Sequence, residues 1–316
     1  MKNLLSAINP SNLVYPAFAL LGVIWGTNFI YMKWAADLIS PAQVVVLRIL
    51  FGFLPVVVLA AWQGALQRSH LRYVHHYLVM ALLATALYYA AFAKGAAVLP
   101  SGIAGMLSGA IPLFSFLTAF VFLRQEPINR VMLAGLALGF AGVALIARPW
   151  SQGDLAVDAA GVMYMLGGSL SLGCSFVYAR LFLVNKNISS LALATYQTGL
   201  ALLVMCLFTD LDGIDRIQQD WGVLIGLVVG LGLSGTGLAY VLYYFIVQHL
   251  GALKAAGVAY IPPVVALLIG ALLVGEPLYA LDIIAMFLIL GGVYVLQVGK
   301  RGEAMPRAES GASSTA

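Results

Sequence analysis

Ten stretches of this chain stay apolar for about twenty residues each, and few folds can accommodate that. They run over Tyr15–Trp34, Ala42–Trp62, Tyr77–Val98, Ser101–Leu123, Val131–Ala147, Ala160–Leu183, Leu191–Phe208, Trp221–Val247, Ala252–Leu273 and Tyr279–Val298. Twenty residues of helix cover ~30 Å, the thickness of a bilayer's hydrocarbon core, so the spacing predicts ten membrane-spanning helices. A β-barrel is excluded, because barrel strands read as ~10-residue segments of alternating polarity. Composition agrees: 9% of the 316 residues are charged, against roughly 25% in soluble domains. Small residues recur four apart within the runs, at Gly22/Gly26, Gly105/Gly109, Gly135/Gly139 and Gly226/Gly230. That spacing lets helix backbones approach closely in lipid. The expected fold class is an all-α integral membrane protein, a bundle of ten transmembrane helices.

The two halves of the chain repeat. "FLRQEP" at Phe122–Pro127 and "LLVGEP" at Leu272–Pro277 each close an apolar run. A shift of 150 residues also carries Ile111-Pro112 onto Ile261-Pro262, Leu117 onto Leu267, Leu138 onto Leu288 and Gly142-Val143 onto Gly292-Val293. Five helices per half is an odd number, so the second copy enters the membrane inverted. Inverted repeats are a mark of secondary transporters, whose halves exchange roles at the two faces by alternating access. The expected organisation is a cytoplasmic N-terminus over residues 1–14, a first five-helix repeat over 15–148, a connecting loop over 149–159, a second repeat over 160–299 and a disordered cytoplasmic tail over 300–316.

The formal net charge of +4 is a topology signal. With the N-terminus in the cytoplasm, Lys2, Arg68, Arg72, Arg124, Arg130, Arg180, Lys186, Lys254, Lys300, Arg301 and Arg307 share that side, as the positive-inside rule requires. Lys33, Arg148 and Arg216 fall at outer loops, and Arg48 and Lys94 stay inside apolar runs. Both termini are therefore expected inside, and nucleic acid is excluded as a partner. No cleavable signal is expected, since the first run continues to Trp34. Cys174 and Cys206 lack metal or redox spacing and read as buried small residues. "GLGLSG" at Gly230–Gly235 matches a dinucleotide fingerprint in letters only, since the strand and helix around it are missing; it reads as a flexible or closely packed part of helix eight. No cofactor and no metal site is expected. His70, His75, His76 and His249 read as solvated groups at cytoplasmic ends.

"VIWGTNF" at Val23–Phe29, Arg48, "TGLAYVLYYFIVQHLGALKAAG" at Thr236–Gly257, "PPVVALLIGALLVGEP" at Pro262–Pro277 and "LILGGVYVL" at Leu288–Leu296 resemble the EamA family of the drug/metabolite transporter superfamily. The resemblance covers both halves. It implies a ten-helix inner (plasma) membrane carrier of small metabolites, often amino acids or drug-like compounds leaving the cell.

Polar groups within the runs are the candidate site, because ionisable side chains in lipid cost several kcal/mol and usually face a cavity. Arg48 stands ~10 Å inside the membrane, seven residues after Pro41, and either snorkels to the interface or gives a cavity a positive potential suited to a carboxylate. Lys94 poses the same choice. Asn28, Ser108 and Gln197 can supply uncharged hydrogen bonds, while Trp25, Tyr88, Tyr178, Tyr240, Tyr244 and Tyr260 can line a wall that stacks on apolar or aromatic substrates. Glu126-Pro127 and Glu276-Pro277 read as turn devices capping the N-termini of helices five and ten, with ion coupling as the alternative. No aspartate or glutamate falls at mid-membrane, so a facilitated or weakly coupled carrier is expected. The expected partners are a small-molecule substrate and the lipid bilayer, with a homodimer left open. Two other classes are a membrane-embedded enzyme, for which no buried nucleophile and base stand together, and a receptor-like component, for which the connections are short.

Overall fold

The computed structural model describes residues 10–123, 129–151, 156–186, 188–251 and 255–304. Among the described residues, ten helices are long and apolar enough to span a membrane: α1 Leu13–Ala36, α2 Pro41–Trp62, α3 Arg68–Val98, α4 Ser101–Phe122, α5 Arg130–Ala147, α6 Ala159–Phe182, α7 Ser190–Phe208, α8 Trp221–Leu250, α9 Ala256–Val274 and α10 Ala280–Lys300. Their starts carry the expected signals. Pro41 opens α2 behind a reciprocal Ser40–Gln43 capping box, and Asn129, Asp158, Ser189 and Asp220 accept backbone N–H bonds at the starts of α5, α6, α7 and α8. Each cap satisfies donors that would otherwise be orphaned at the helix end.

Several boundaries differ from expectation. The third span begins at Arg68 rather than Tyr77, because a 3₁₀ segment over Arg68–Tyr73 leads into it. Helix continues past Lys300 to Ala304, where a disordered tail was expected; residues 305–316 lie outside the described residues, as do 1–9.

The repeat is visible in three dimensions. α3 packs on α6 as α8 packs on α1, α4 on α6 as α9 on α1, and α2 on α8 as α7 on α3; the pairs α2–α7, α4–α9 and α5–α10 are their own counterparts. Local irregularities repeat as well. α4 breaks at Gly109–Ala110 before Ile111-Pro112, and α9 opens with a 3₁₀ turn over Ala256–Tyr260 before Ile261-Pro262, since proline has no N–H to continue the ladder. α3 widens to π-helix over Leu82–Ala86 and α8 over Gly226–Leu238; the 150-residue shift carries 82–86 onto 232–236, inside the second segment. Such bulges recur at functional sites. "GLGLSG" is thus π-helix, packed against α1 and α2: a Cβ on Gly230 would lie 2.4 Å from the Tyr31 ring and one on Gly232 2.6 Å from Phe51.

α5 and α10 form the tightest pair, with Gly135, Gly139 and Gly142 facing the α10 backbone around Gly292. Cys206 is exposed and Cys174 intermediate, so neither is the buried small residue expected. His70 is 7% exposed, and His76 Nδ1 lies 2.8 Å from the Tyr178 hydroxyl. His70 is therefore packed against Tyr196 of α7 where a solvated side chain was expected, because the 3₁₀ turn that opens α3 carries it inward, while the half-buried His76 keeps partial exposure beside Tyr178 of α6.

Candidate functional site

We call the face at which α1 begins the near face and the face at which it ends the far face. In the far half of the bundle, Arg48 is 4% exposed and does not snorkel. Its Nε donates to Thr236 Oγ1 of α8 (3.2 Å) and one terminal nitrogen faces Met32 Sδ of α1 (3.7 Å). With its amide donating to the Ile24 carbonyl (3.1 Å), Asn28 accepts from the other terminal nitrogen at 3.3 Å. The guanidinium carbon lies 3.8 Å from the centroid of the Tyr89 ring of α3. A single cation therefore joins α1, α2, α3 and α8. Burying a charge costs several kcal/mol even after relaxation unless it is paired, yet among the described residues the ion pairs are Lys33–Glu276 and Arg148–Asp282. Arg48 is held by neutral groups and an aromatic face alone.

One turn nearer the middle lies a second polar set. Gln197 of α7, 5% exposed, donates from Nε2 to Thr85 Oγ1 of α3 (2.8 Å) and to the Tyr240 hydroxyl of α8 (3.5 Å). Aromatic groups lie on the same helices. Tyr88 packs against Tyr89 and Phe92, with centroids 5.0 and 4.5 Å away, and Trp25 lies 6.1 Å from Tyr243.

The remaining candidates separate from this centre. Tyr178 sits at the near end with His76. Ser108 spends its hydroxyl on the Gly105 carbonyl within α4, and Tyr260 packs against the main core. Lys94 is a correction: it is exposed, with its ammonium 5.5 Å from the ring of Tyr164, on the opposite side of α3 from Phe92. Tyr244 lies in α8, its side chain outside the described residues, and Glu126 and Pro127 fall outside them altogether.

Glu276 does cap a helix, but α4 instead of α10. Its carboxylate accepts from the backbone N–H of Ser101 (2.7 Å) and Gly102 (3.0 Å), from Ser101 Oγ (3.1 Å) and from Lys33 Nζ (3.2 Å). Lys33 also donates to the Leu99 carbonyl at 3.2 Å. Burial pushes the Glu276 carboxyl up, but the Gly102 and Ser101 N–H groups and the Lys33 ammonium outweigh it and hold it below the usual carboxylate range. Pro277 precedes α10 by three residues and is not its first turn; Asp282 closes that turn by accepting from the Tyr279 N–H (3.0 Å) and pairs with Arg148, both buried.

The far face is therefore closed. α1 packs against the far half of α3, with Phe29 and Phe92 centroids 6.1 Å apart, and the Lys33–Glu276 cluster lies beyond them. Among the described residues, the repeat-equivalents at the near face, α6 and the near half of α8, have no comparable packing. Ala179 and Leu242 stand where the first half has Phe29 and Phe92. The groups that sequence reasoning passed over are Thr85, Tyr89 as Arg48's partner, Thr236 and Lys33. Thr236 is signalled only as the one threonine among the small residues of a π-helical stretch.

The model of the EamA-like transporter family matches residues 13–148 and 159–298. An uncharacterized transporter of Archaeoglobus fulgidus is 23% identical over 88% of this chain and 96% of its own length. A Salmonella typhimurium protein named "Probable amino-acid metabolite efflux pump" is 25% identical over 89% and 94%. The uncharacterized inner membrane transporter YedA of Escherichia coli is 27% identical over 64% of this chain and 63% of its own. A solved crystal structure superposes with a TM-score of 0.56 at 19% identity, over 91% of this chain and 98% of its own.

Proposed function

Because the chain belongs to the EamA-like transporter family, we propose that it exports a small carboxylate-bearing metabolite across the inner membrane by alternating access of its two five-helix halves. The observation that carries this reading is Arg48, a buried cation without an acidic partner among the described residues, lying over the face of Tyr89. A guanidinium can hold a carboxylate through two parallel hydrogen bonds, which a lysine ammonium cannot reproduce. The substrate supplies the missing negative charge. The relative named as an amino-acid metabolite efflux pump agrees in substrate size and in direction.

The distribution of charge supports a sidedness, with Lys33, Arg148 and Arg216 the basic residues at the far face. Arg68, Arg72, Arg130, Arg180, Lys186 and Lys300 stand at the near face, while Asp37, Asp158, Asp210, Asp212, Asp215 and Asp220 stand at the far face, so the near face is cytoplasmic. The conformer closed at the far face is then the one that loads from inside. A reporter fused after Lys300 is expected to be active in the cytoplasm and one in the Asp210–Asp220 loop in the periplasm; finding both on one side would overturn the assignment.

The functional test is counterflow in proteoliposomes with a panel of carboxylate metabolites, followed by calorimetry on those transported. A charge-assisted contact is worth about 1.5–3 kcal/mol, so Arg48→Ala is expected to raise Kd roughly ten- to a hundredfold, and Arg48→Lys to weaken binding while the protein stays folded. Unchanged affinity in both variants would remove Arg48 from the site.

A further inference from the structure

The two polar sets lie in register. Thr85 and Tyr89 are four residues apart on α3, and Thr236 and Tyr240 four apart on α8, so each pair shares a helix face one turn apart, about 5.4 Å along the axis. The outer layer is Arg48 with Asn28, Tyr89 and Thr236; the inner layer is Gln197 with Thr85 and Tyr240. The outer layer carries one positive charge and the inner layer none. Of all the acids in the sequence, only Asp282 falls within a described membrane span, where it is committed to Arg148 at the far end.

We propose that this site selects a net-anionic organic substrate, whose charged group meets Arg48 and whose uncharged hydrogen-bonding group, about one helical turn away, meets Gln197, Thr85 and Tyr240. Zwitterions are disfavoured. An α-ammonium entering with the carboxylate loses its water and finds a guanidinium and neutral hydroxyls instead of an acid, and desolvating an unpaired ammonium is costly. Organic cations are disfavoured twice, since they lack the carboxylate and face the Arg48 charge. The inference rests on the transport reading above and narrows it from carboxylates in general to anions with a second, neutral polar group. Gln197 is then a specificity residue, with an amide that can turn between Thr85, Tyr240 and substrate.

The test uses four matched probes on the purified full-length protein, with binding read by calorimetry. 3-Hydroxyphenylacetate carries a carboxylate and a hydroxyl at roughly the required spacing. Phenylacetate lacks the hydroxyl, 3-hydroxyphenylglycine adds an α-ammonium, and 3-hydroxybenzylamine keeps only the cation and the hydroxyl. In the wild type the hydroxylated anion is expected to bind about three- to tenfold more tightly than phenylacetate, the size of one neutral hydrogen bond. It is expected to bind at least tenfold more tightly than the zwitterion, with no binding of the cation. Gln197→Leu, close to isosteric, should bring the two anions together while leaving their shared dependence on Arg48.

If the zwitterion binds as well as the anion or better, and Arg48→Lys still weakens both, the anion-selective inference is overturned and carboxylate transport stands. An unchanged hydroxyl preference in Gln197→Leu overturns the inner-layer assignment. If none of the carboxylates binds in an Arg48-dependent way, this inference and the transport reading of Arg48 fall together.

Discussion

Leucine at position 292 is expected to leave little folded protein in the membrane. A Cβ on Gly292 would lie 2.4 Å from the Gly139 nitrogen and 2.6 Å from the Gly135 oxygen, and backbone atoms cannot step aside as a side-chain tip can. Even alanine must push α5 from α10, at about 3 kcal/mol, the upper end of the usual overpacking cost, out of a total stability of roughly 5–15 kcal/mol. Its neighbour supplies the control, because a Cβ on Gly291 would meet only Leu138 Cδ2 at 3.8 Å, an ordinary contact. Gly291→Ala should therefore unfold like the wild type in detergent, Gly292→Ala at clearly lower temperature, and Gly292→Leu should fail to purify as a monodisperse species. Gly142→Leu, which the repeat places at the equivalent position, should fail likewise, since its Cβ would sit 2.7 Å from the Ala285 oxygen. If Gly292→Leu matches Gly291→Ala in yield and melting temperature, the α5–α10 packing is wrong.

The repeat was legible in the sequence because one shift of 150 residues aligned Gly142 with Gly292 and Ile111-Pro112 with Ile261-Pro262, and local rules of proline and glycine act wherever those residues fall; that the two equivalent helices pack on each other was not, since equivalence under a shift does not imply contact. The site was less legible. Arg48 and Lys94 present the same sequence signal, an isolated cation within a far-half apolar run, yet one is buried and the other exposed. The difference lies in helix phase: Lys94 is five residues from Tyr89, which turns it about 140° away from the face that meets Arg48. Which face looks inward depends on neighbouring helices, and period alone did not separate them in runs so uniformly apolar. Glu276 was readable as a helix cap, but its partners Ser101 and Gly102 are 175 and 174 residues away, beyond any local pattern. The Arg148–Asp282 pair was missed for the same reason, as it joins the end of α5 to the start of α10.

Removing the Glu276 carboxylate is expected to open the far face. The four bonds it accepts link the end of α1 through Lys33, the α3–α4 turn through Ser101 and Gly102, and the turn that follows α9, so in alternating access they exist only while that face is shut. Losing one partner of a fully buried pair costs about 3–5 kcal/mol. Here the side chains of Lys33 and Glu276 are 29% and 11% exposed, so water makes good part of the loss and about 2 kcal/mol is the reasonable figure. That amounts to roughly a thirtyfold shift toward the far-open state. The readout is Met32→Cys, a position 1% exposed beneath the cluster, in a background without Cys174 and Cys206 and labelled by a membrane-impermeant thiol reagent. Glu276→Ala should speed its labelling more than tenfold over the parent with Glu276 intact, each rate being normalised to that of the unfolded chain. Acid should act in the same direction. The Glu276 carboxyl is held below its ordinary range in the closed state, so its stabilisation is complete above the unfolded value, about 4.3, and is lost as pH falls through the folded one. Because the thiolate is the reacting form, each rate is divided by that of the unfolded chain at the same pH; this ratio should stay flat from neutral pH down to about 5 and rise only in more acid solution. Glu276→Gln should be fast throughout, and Lys33→Met, which removes one of the groups favouring the ionised form, should move the rise to higher pH. Lowered melting temperature with unchanged labelling would mean that the cluster only staples the fold together and has no part in gating.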